Sequence, residues 1–283
     1  MFYRSAFRYG YGSKKNPEVH EIGGFEWIAD ESRECPQVDN KSFRCTILTC
    51  RPKNENKKTV LWSCLAKGIH VLGNMETNVE VAFHMWQNLF NNGCSTFHVH
   101  REQAKYSSAF DASCPVSYGE VQIEIVTSTC ADLTDSNNPL IDEDRIGAAH
   151  FKVGDEHLWL SKREKKDDFF ELKEVDLDHF VAFLGILHYT RDVDKNSVEH
   201  LLHLGDMYQC KMVLHQCEEF LRAASKELIP LTTKMFLADR YKLHRTLLEA
   251  AEKITIDEWK KFKAKFELSN FAQNLILQKL SLF

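Results

Sequence analysis

Between Phe170 and Leu221 the hydrophobic pattern changes period, and that change constrains the fold more than any other stretch. Phe170 and Leu172 alternate with Glu171 and Lys173 up to Val175, the pattern of a half-buried strand. From Asp176, a candidate N-cap, the apolar positions become Leu177, Phe180, Val181, Leu184 and Leu187, one face of an amphipathic helix. Thr190 to Lys195 is a polar turn. Asn196-Ser197-Val198-Glu199 then sets a carboxylate three residues after a cap candidate, and Val198, Leu201, Leu202, Gly205 and Tyr208 continue a second helical face. A third face carries Leu214, Cys217, Phe220 and Leu221. Strand, helix, short turn and two helices, with Gly205 letting backbones approach, describe a helical layer on a small sheet, a packing and docking unit.

Upstream the period is that of strands: Phe25 to Ile28, Phe43 to Leu48, Val60 to Cys64, Ile69 to Leu72, Val79 to Phe83, Phe97 to His100 and Glu120 to Val126. Polar turns such as Arg51-Pro52-Lys53-Asn54 and Asn91-Asn92-Gly93 separate them, which predicts an antiparallel sandwich. Residues 1–16 follow neither period and are expected to form a loose leader. Thr127 to Asp144, rich in Thr, Ser, Asn and Asp with Pro139, has the composition of a linker. Phe151 to Lys162 reads as a hairpin turning at Gly154-Asp155. Past Leu221, a break at Pro230 precedes helical faces at Met235, Ala238 and Tyr241, at Leu247, Ala250, Ala251 and Ile254, and at Leu275, Ile276, Lys279 and Leu280. The fold class is therefore α+β.

Composition narrows the function. With 43% hydrophobic and 27% charged residues the 283-residue chain is globular and long enough for two domains. A net charge of -5 argues against a nucleic-acid partner, which a basic face would have to meet. Nine scattered cysteines and no amino-terminal signal pattern imply reduced thiols in the cytoplasm or nucleus. The apolar run at Phe180 to Leu187 falls short of the roughly 20 residues of a bilayer helix, so no membrane span is expected.

Glu171 to Asp176, Phe180-x-x-Phe183-Leu184, Val198-Glu199-x-Leu201-Leu202-x-Leu204-Gly205-Asp206-Met207-Tyr208 and Cys217-Glu218-Glu219-Phe220-Leu221 together resemble the second half of a BTB/POZ domain. Glu21-Ile22-Gly23-Gly24-Phe25-x-Trp27, Leu61-Trp62-Ser63-Cys64 and the Glu120 to Val126 strand resemble a MATH domain. The resemblance divides the chain into a leader (1–16), a MATH-like sandwich (17–130), a linker (131–144), a truncated BTB/POZ-like domain (145–225) and a helical extension (226–283). It implies a protein-interaction adaptor, with a substrate-like partner on the sandwich and a cullin-type ubiquitin-ligase scaffold on the BTB-like domain and extension. Tyr208, Gln209 and Lys211, after the second helix, become the scaffold-contact candidates. The chain departs from the family where two helices normally follow Ser161-Lys162, since Arg163 to Asp168 cannot hold helices of about 8 to 20 residues each. Those helices carry dimer and cullin contacts, so a monomer or weak self-association is expected. The alternative is a structural or regulatory BTB-like protein that no longer binds a cullin. Phe169-Phe170-Glu171 mimics the acidic cullin contact but sits inside the strand.

Sites for chemistry are not apparent. His200-x-x-His203 with Cys210, His215 and Cys217 lacks the paired short spacings of a closed zinc site, and the same holds for His98-x-His100. No nucleophile elbow, phosphate loop, dinucleotide pattern or His-Glu-x-x-His helix occurs, so neither an enzyme nor a cofactor is expected. Trp259 to Phe266 is a basic amphipathic segment, with Trp259, Phe262 and Phe266 on one side, suited to an acidic surface or anionic lipid or, in the preferred reading, to docking on neighbouring helices. Trp27, Trp62 and Trp86 are candidates for a peptide groove, though a sandwich tryptophan more often fills the core.

Overall fold

The alternating runs of the first half pair into two sheets. The computed structural model describes residues 3–10, 17–32, 45–53, 57–74, 79–100, 105–106, 118–141, 148–161, 169–263 and 268–280. The chain divides into two units, Met1–Lys173 and Glu174–Phe283.

In the first unit one sheet has the order β1 (Tyr3–Gly10), β9 (Tyr118–Asp132), β5 (Val60–Asn74), β6 (Val79–Asn91) and β8 (Lys105–Tyr106). The other orders β2 (Val19–Ile22), β3 (Phe25–Ser32), β4 (Cys45–Pro52) and β7 (Thr96–His100). Every neighbouring pair in both is antiparallel. Phe25, Trp27 and Leu48 from the small sheet and Trp62, Trp86, Phe90 and Ile123 from the large one form a single core.

Four expectations are corrected here. Tyr3–Gly10 is not a loose leader but an edge strand, paired with β9 from Tyr3↔Ile125 to Gly10↔Tyr118. It hid because Phe7 alone among its side chains is buried; ladder hydrogen bonds hold it rather than an apolar face. Val60 to Cys64 and Ile69 to Leu72 are one strand, β5, whose period is interrupted by a bulge at Leu65/Ala66 and by Gly68. A Cβ on Gly68 would fall 1.8 Å from the Gln122 carbonyl oxygen, so the close approach of β9 admits only glycine. Arg51 and Pro52 belong to β4 rather than to a turn, while Phe43, Arg44 and Asn54 lie outside the described residues. Finally, β9 runs to Asp132, into the expected linker. The residues after it are pinned: Leu133 is fully buried, its N–H donates to Thr59 O at 3.0 Å, and its carbonyl accepts from Trp159 N at 2.7 Å. Asn138 Nδ2 donates to Trp159 O at 3.0 Å. Residues 142–144 lie outside the described residues.

A third sheet sets β10 (Ala148–Val153) between β11 (Glu156–Ser161), antiparallel, and β12 (Phe169–Leu172), parallel. The hairpin turns at Gly154-Asp155 with Gly154 at φ +61°, the left-handed region that glycine enters without strain. Between β11 and β12 stand only residues 162–168, which lie outside the described residues and are too few for two helices. β12 ends at Leu172, short of Val175, because the chain turns at Lys173-Glu174, with Glu174 at φ +62°.

The second unit is helical: α1 (Leu177–Leu187), α2 (Val198–Met207), α3 (Lys211–Ala223), α4 (Leu231–Arg240), α5 (His244–Lys253), α6 (Ile256–Lys263) and α7 (Asn270–Leu280). Asp176 caps α1, its carboxylate accepting from His179 N at 3.1 Å. The start of α2 differs from the capping-box expectation: Ser197 is the cap position and makes no side-chain cap bond. Asp194 serves instead, accepting from Asn196 N at 2.8 Å and Ser197 N at 2.9 Å. Gly205 lets α3 approach, since a Cβ there would lie 3.0 Å from Leu214 Cδ2.

Candidate protein-interaction surfaces

Of the three sandwich tryptophans, Trp27 and Trp62 lie in the core, whereas Trp86, 5% exposed, packs in the core and also borders a cleft. Trp27 is wholly buried, edge-on to Phe90 at 5.3 Å and tilted to Trp86 at 6.5 Å between ring centres, while Trp62 meets Phe25 at 5.9 Å. Core packing removes Trp27 and Trp62 from recognition, while Trp86 also lines the cleft over Gly68.

What faces outward is the other register of the same strands. Along β6, Trp86 and Phe90 point into the core, so the period of two turns Phe83, Met85, Gln87 and Leu89 to the outer face. Phe83, Met85 and Leu89 are 40%, 70% and 43% exposed. Beside them a cleft of about 430 Å³ opens over Gly68, walled by Arg4, Lys67, Ile69, Met85, Gln122 and Glu124. Lys67 Nζ pairs with Glu124 Oε1 at 3.1 Å across β5 and β9. An adaptable methionine, apolar neighbours and a rim of both charge signs suit a polypeptide rather than a reacting small molecule. The sequence held a signal for it, because Phe83, Met85 and Leu89 alternate with Trp86 and Phe90 and put large apolar residues in both registers of β6.

One buried polar group joins the two sheets. His70 Nε2 lies 2.6 Å from Tyr9 Oη, which is 2.8 Å from Thr46 Oγ1, so the contact ties β1 and β5 of one sheet to β4 of the other. Burial, helped by the charge of His84, pushes the imidazole down to about 4. Neutral near pH 7, its Nε2 is engaged by the Tyr9 and Thr46 hydroxyls that join these strands.

In the helical unit, the scaffold-contact candidates stand at one turn but play unlike parts. Tyr208 is partly covered by Phe183 and Phe180, with ring centres 5.7 and 6.4 Å away, and burial pushes its phenol pKa up. Gln209 takes φ +50° and closes α2: its N–H donates to Asp206 O at 3.1 Å, and Cys210 N donates to Gly205 O at 2.7 Å. That bond pair is a Schellman motif. Lys211 is exposed and opens α3. The sequence missed Tyr189, 69% exposed, whose hydroxyl donates to Met212 Sδ at 3.6 Å and so adds an aromatic to the α3 end of this surface.

The histidine and cysteine candidates do not converge. His200 stacks on His179 with ring centres 3.5 Å apart, and Cys217 is fully buried, its thiol pushed up to about 12 by burial. His98 Nδ1 contacts Cys45 Sγ at 3.7 Å, and the His100 side chain lies outside the described residues. Among the described residues no three His, Cys, Asp or Glu side chains gather as metal ligands, and no disulfide joins the described cysteines. Trp259 on α6 is buried, consistent with a docked aromatic side; the Phe262 side chain and Phe266 lie outside the described residues. No helix among the described residues is long and apolar enough to cross a membrane.

Comparison with known proteins joins these two regions. The BTB/POZ domain model matches residues 156–225, from β11 through α3. BTB and MATH domain-containing protein 38 of Caenorhabditis elegans is 22% identical over 95% of this chain and 75% of its own length. Protein 36 of the same name and organism is 24% identical over 92% of this chain and 89% of its own length. BTB and MATH domain-containing protein 39 of Caenorhabditis briggsae is 31% identical over 30% of this chain and 25% of its own. Along most of its length the chain is thus similar to BTB and MATH domain-containing proteins, with a match to the BTB/POZ domain model at 156–225 and an antiparallel sandwich before it.

Proposed function

We propose that this protein is an intracellular, non-catalytic adaptor whose sandwich holds a partner protein while its BTB region and helical extension meet a scaffold. The observation that carries this reading is the exposed apolar register of β6, Phe83, Met85 and Leu89, beside the cleft over Gly68. Leaving three large apolar side chains partly in water on one strand forfeits a share, about half, of the roughly 1.5 to 3 kcal/mol that full burial of each would give, a loss that a bound partner would recover. In the finer reading the scaffold is a cullin of a ubiquitin ligase, and the sandwich ligand is the substrate presented to it. Tyr208, Gln209 and Lys211 are the proposed scaffold face.

A second reading is favoured by one observation: only residues 162–168 join β11 to β12. On that reading the protein is a regulatory BTB-like binder without a cullin, monomeric or weakly self-associating. Affinity purification of the full chain followed by mass spectrometry separates the two. Recovery of a cullin that Tyr208→Ala abolishes supports the first, and a reproducible partner set without a cullin supports the second. Met85→Lys should remove the sandwich partner in either case; a partner set unchanged by that variant would remove the β6 face from the proposal.

A further inference from the structure

The helical unit also holds a cavity unrelated to the scaffold-contact turn. It measures about 250 Å³ and is lined by the end of α3, the start of α4 and the inner face of α5. Four cations, Arg222, Lys226, Lys234 and Lys253, share it with a single carboxylate, Glu249. That carboxylate is already engaged, taking bonds from Arg222 Nε at 2.8 Å and Nη2 at 2.7 Å.

Lys234 is unusual among them. Its residue is only 9% exposed, and its ammonium donates to a neutral acceptor, Ala224 O, at 2.5 Å. An ammonium carries three donors, and a charge withdrawn from water is stable only when opposed and hydrogen-bonded. Burial and the nearby Lys253 charge press its pKa below 10.5, with Glu249 pulling the other way. On the α5 wall Thr246 is 2% exposed and its Oγ1 is buried with no hydrogen-bond partner. A hydroxyl left so is costly, as is a buried lysine facing further cations.

Both defects are removed by the same kind of guest. We infer that this cavity binds a small oxoanion of the phosphate class, as free phosphate or as a phosphate monoester. Such a group has several acceptor oxygens for the Lys234 ammonium and the Thr246 hydroxyl, and a charge that Lys226 and Lys253 oppose at the rim. The volume holds several waters' worth of space, enough for a phosphoryl group with part of its shell. A simple carboxylate would leave more of the cationic wall unanswered.

The test is titration calorimetry on the full chain with inorganic phosphate and, in a parallel arm, glycerol 2-phosphate, against chloride at equal ionic strength. Saturable binding of phosphate is expected, weakened at least about tenfold by Lys234→Met, since a charge-assisted bond is lost. Thr246→Val should weaken it severalfold, and Lys260→Ala, on the exposed side of α6, should leave it unchanged. Tighter glycerol 2-phosphate identifies a monoester site, and weaker or equal binding identifies free phosphate. If Lys234→Met does not fold, Lys253→Ala, an exposed change, carries the same expectation of weakened binding. Heats no different from chloride, or binding indifferent to Lys234, Thr246 and Lys253 alike, would overturn the site.

Discussion

In the sandwich, decisive contacts join residues far apart in the chain: Tyr3 pairs with Ile125, Phe7 with Val121, and Tyr9 reaches His70 and Thr46. In the helical unit they are local. The ends of α1, α2 and α4 close alike, by Thr190 N to Gly185 O, Cys210 N to Gly205 O and Leu243 N to Ala238 O, with Tyr189, Gln209 and Lys242 in the left-handed region. The contrast teaches where each region is vulnerable. A sandwich whose ladders span the sequence depends on one shared core, whereas helices that close their own ends tolerate changes at the turns between them.

The largest expected effect is therefore in the sandwich core. Trp27→Ala should lower stability by about 3 to 5 kcal/mol, a large part of the 5 to 15 kcal/mol that holds a domain together. Hydrogen exchange is the sharper readout: amides of β3 to β6 should lose protection while those of α1 to α3 keep theirs. Equal loss in both would break the comparison.

A smaller effect follows from His70. Its folded-state pKa is lowered from 6.5 to about 4, so between those values the unfolded chain binds a proton that the folded one refuses. Stability is thus fully present above pH 6.5 and falls as pH drops toward 4, by about 3 kcal/mol at most. Denaturant midpoints of the sandwich at pH 7.5 and 4.5 measure this, and in His70→Phe the part of the acid sensitivity due to this group should vanish. An unchanged pH dependence in the variant would mean that other groups set it.

The same contrast explains what was legible in the sequence. The cap at Asp176 and the turn at Gly154 could be read because their causes lie within a few residues, and on α3 Cys217 and Leu221 were read as buried while Val213 took the place expected of Leu214 and Phe220, which are half-buried. β1 could not, since its partner strand starts at Tyr118 and only Phe7 on it is buried. β5 was split because a bulge and Gly68 interrupt its period, although both answer to β9. The outer face of β6 was hidden by the assumption that large apolar residues point inward. The roles of Tyr189, Gln209 and Lys242 were hidden differently: the helix stops they form are normally written with glycine.

The smallest effect is at one of those stops, where it bears directly on function. Gln209 is held at φ +50°, a conformation that costs a residue with a Cβ about 1 to 2 kcal/mol, part of which glycine's greater freedom in the unfolded chain would return. Gln209→Gly should therefore raise stability by about 0.5 to 1 kcal/mol, read as a higher denaturant midpoint for the helical unit. The variant also removes the side chain proposed to touch the scaffold. A more stable protein that retains its scaffold would assign Gln209 to chain geometry alone and leave Tyr208 and Lys211 as the contacts. One that is more stable yet loses its scaffold would show strain kept for the sake of binding, the compromise expected where a locally closed turn serves as an interaction surface. A variant less stable than the parent would contradict the geometric account of how α2 ends.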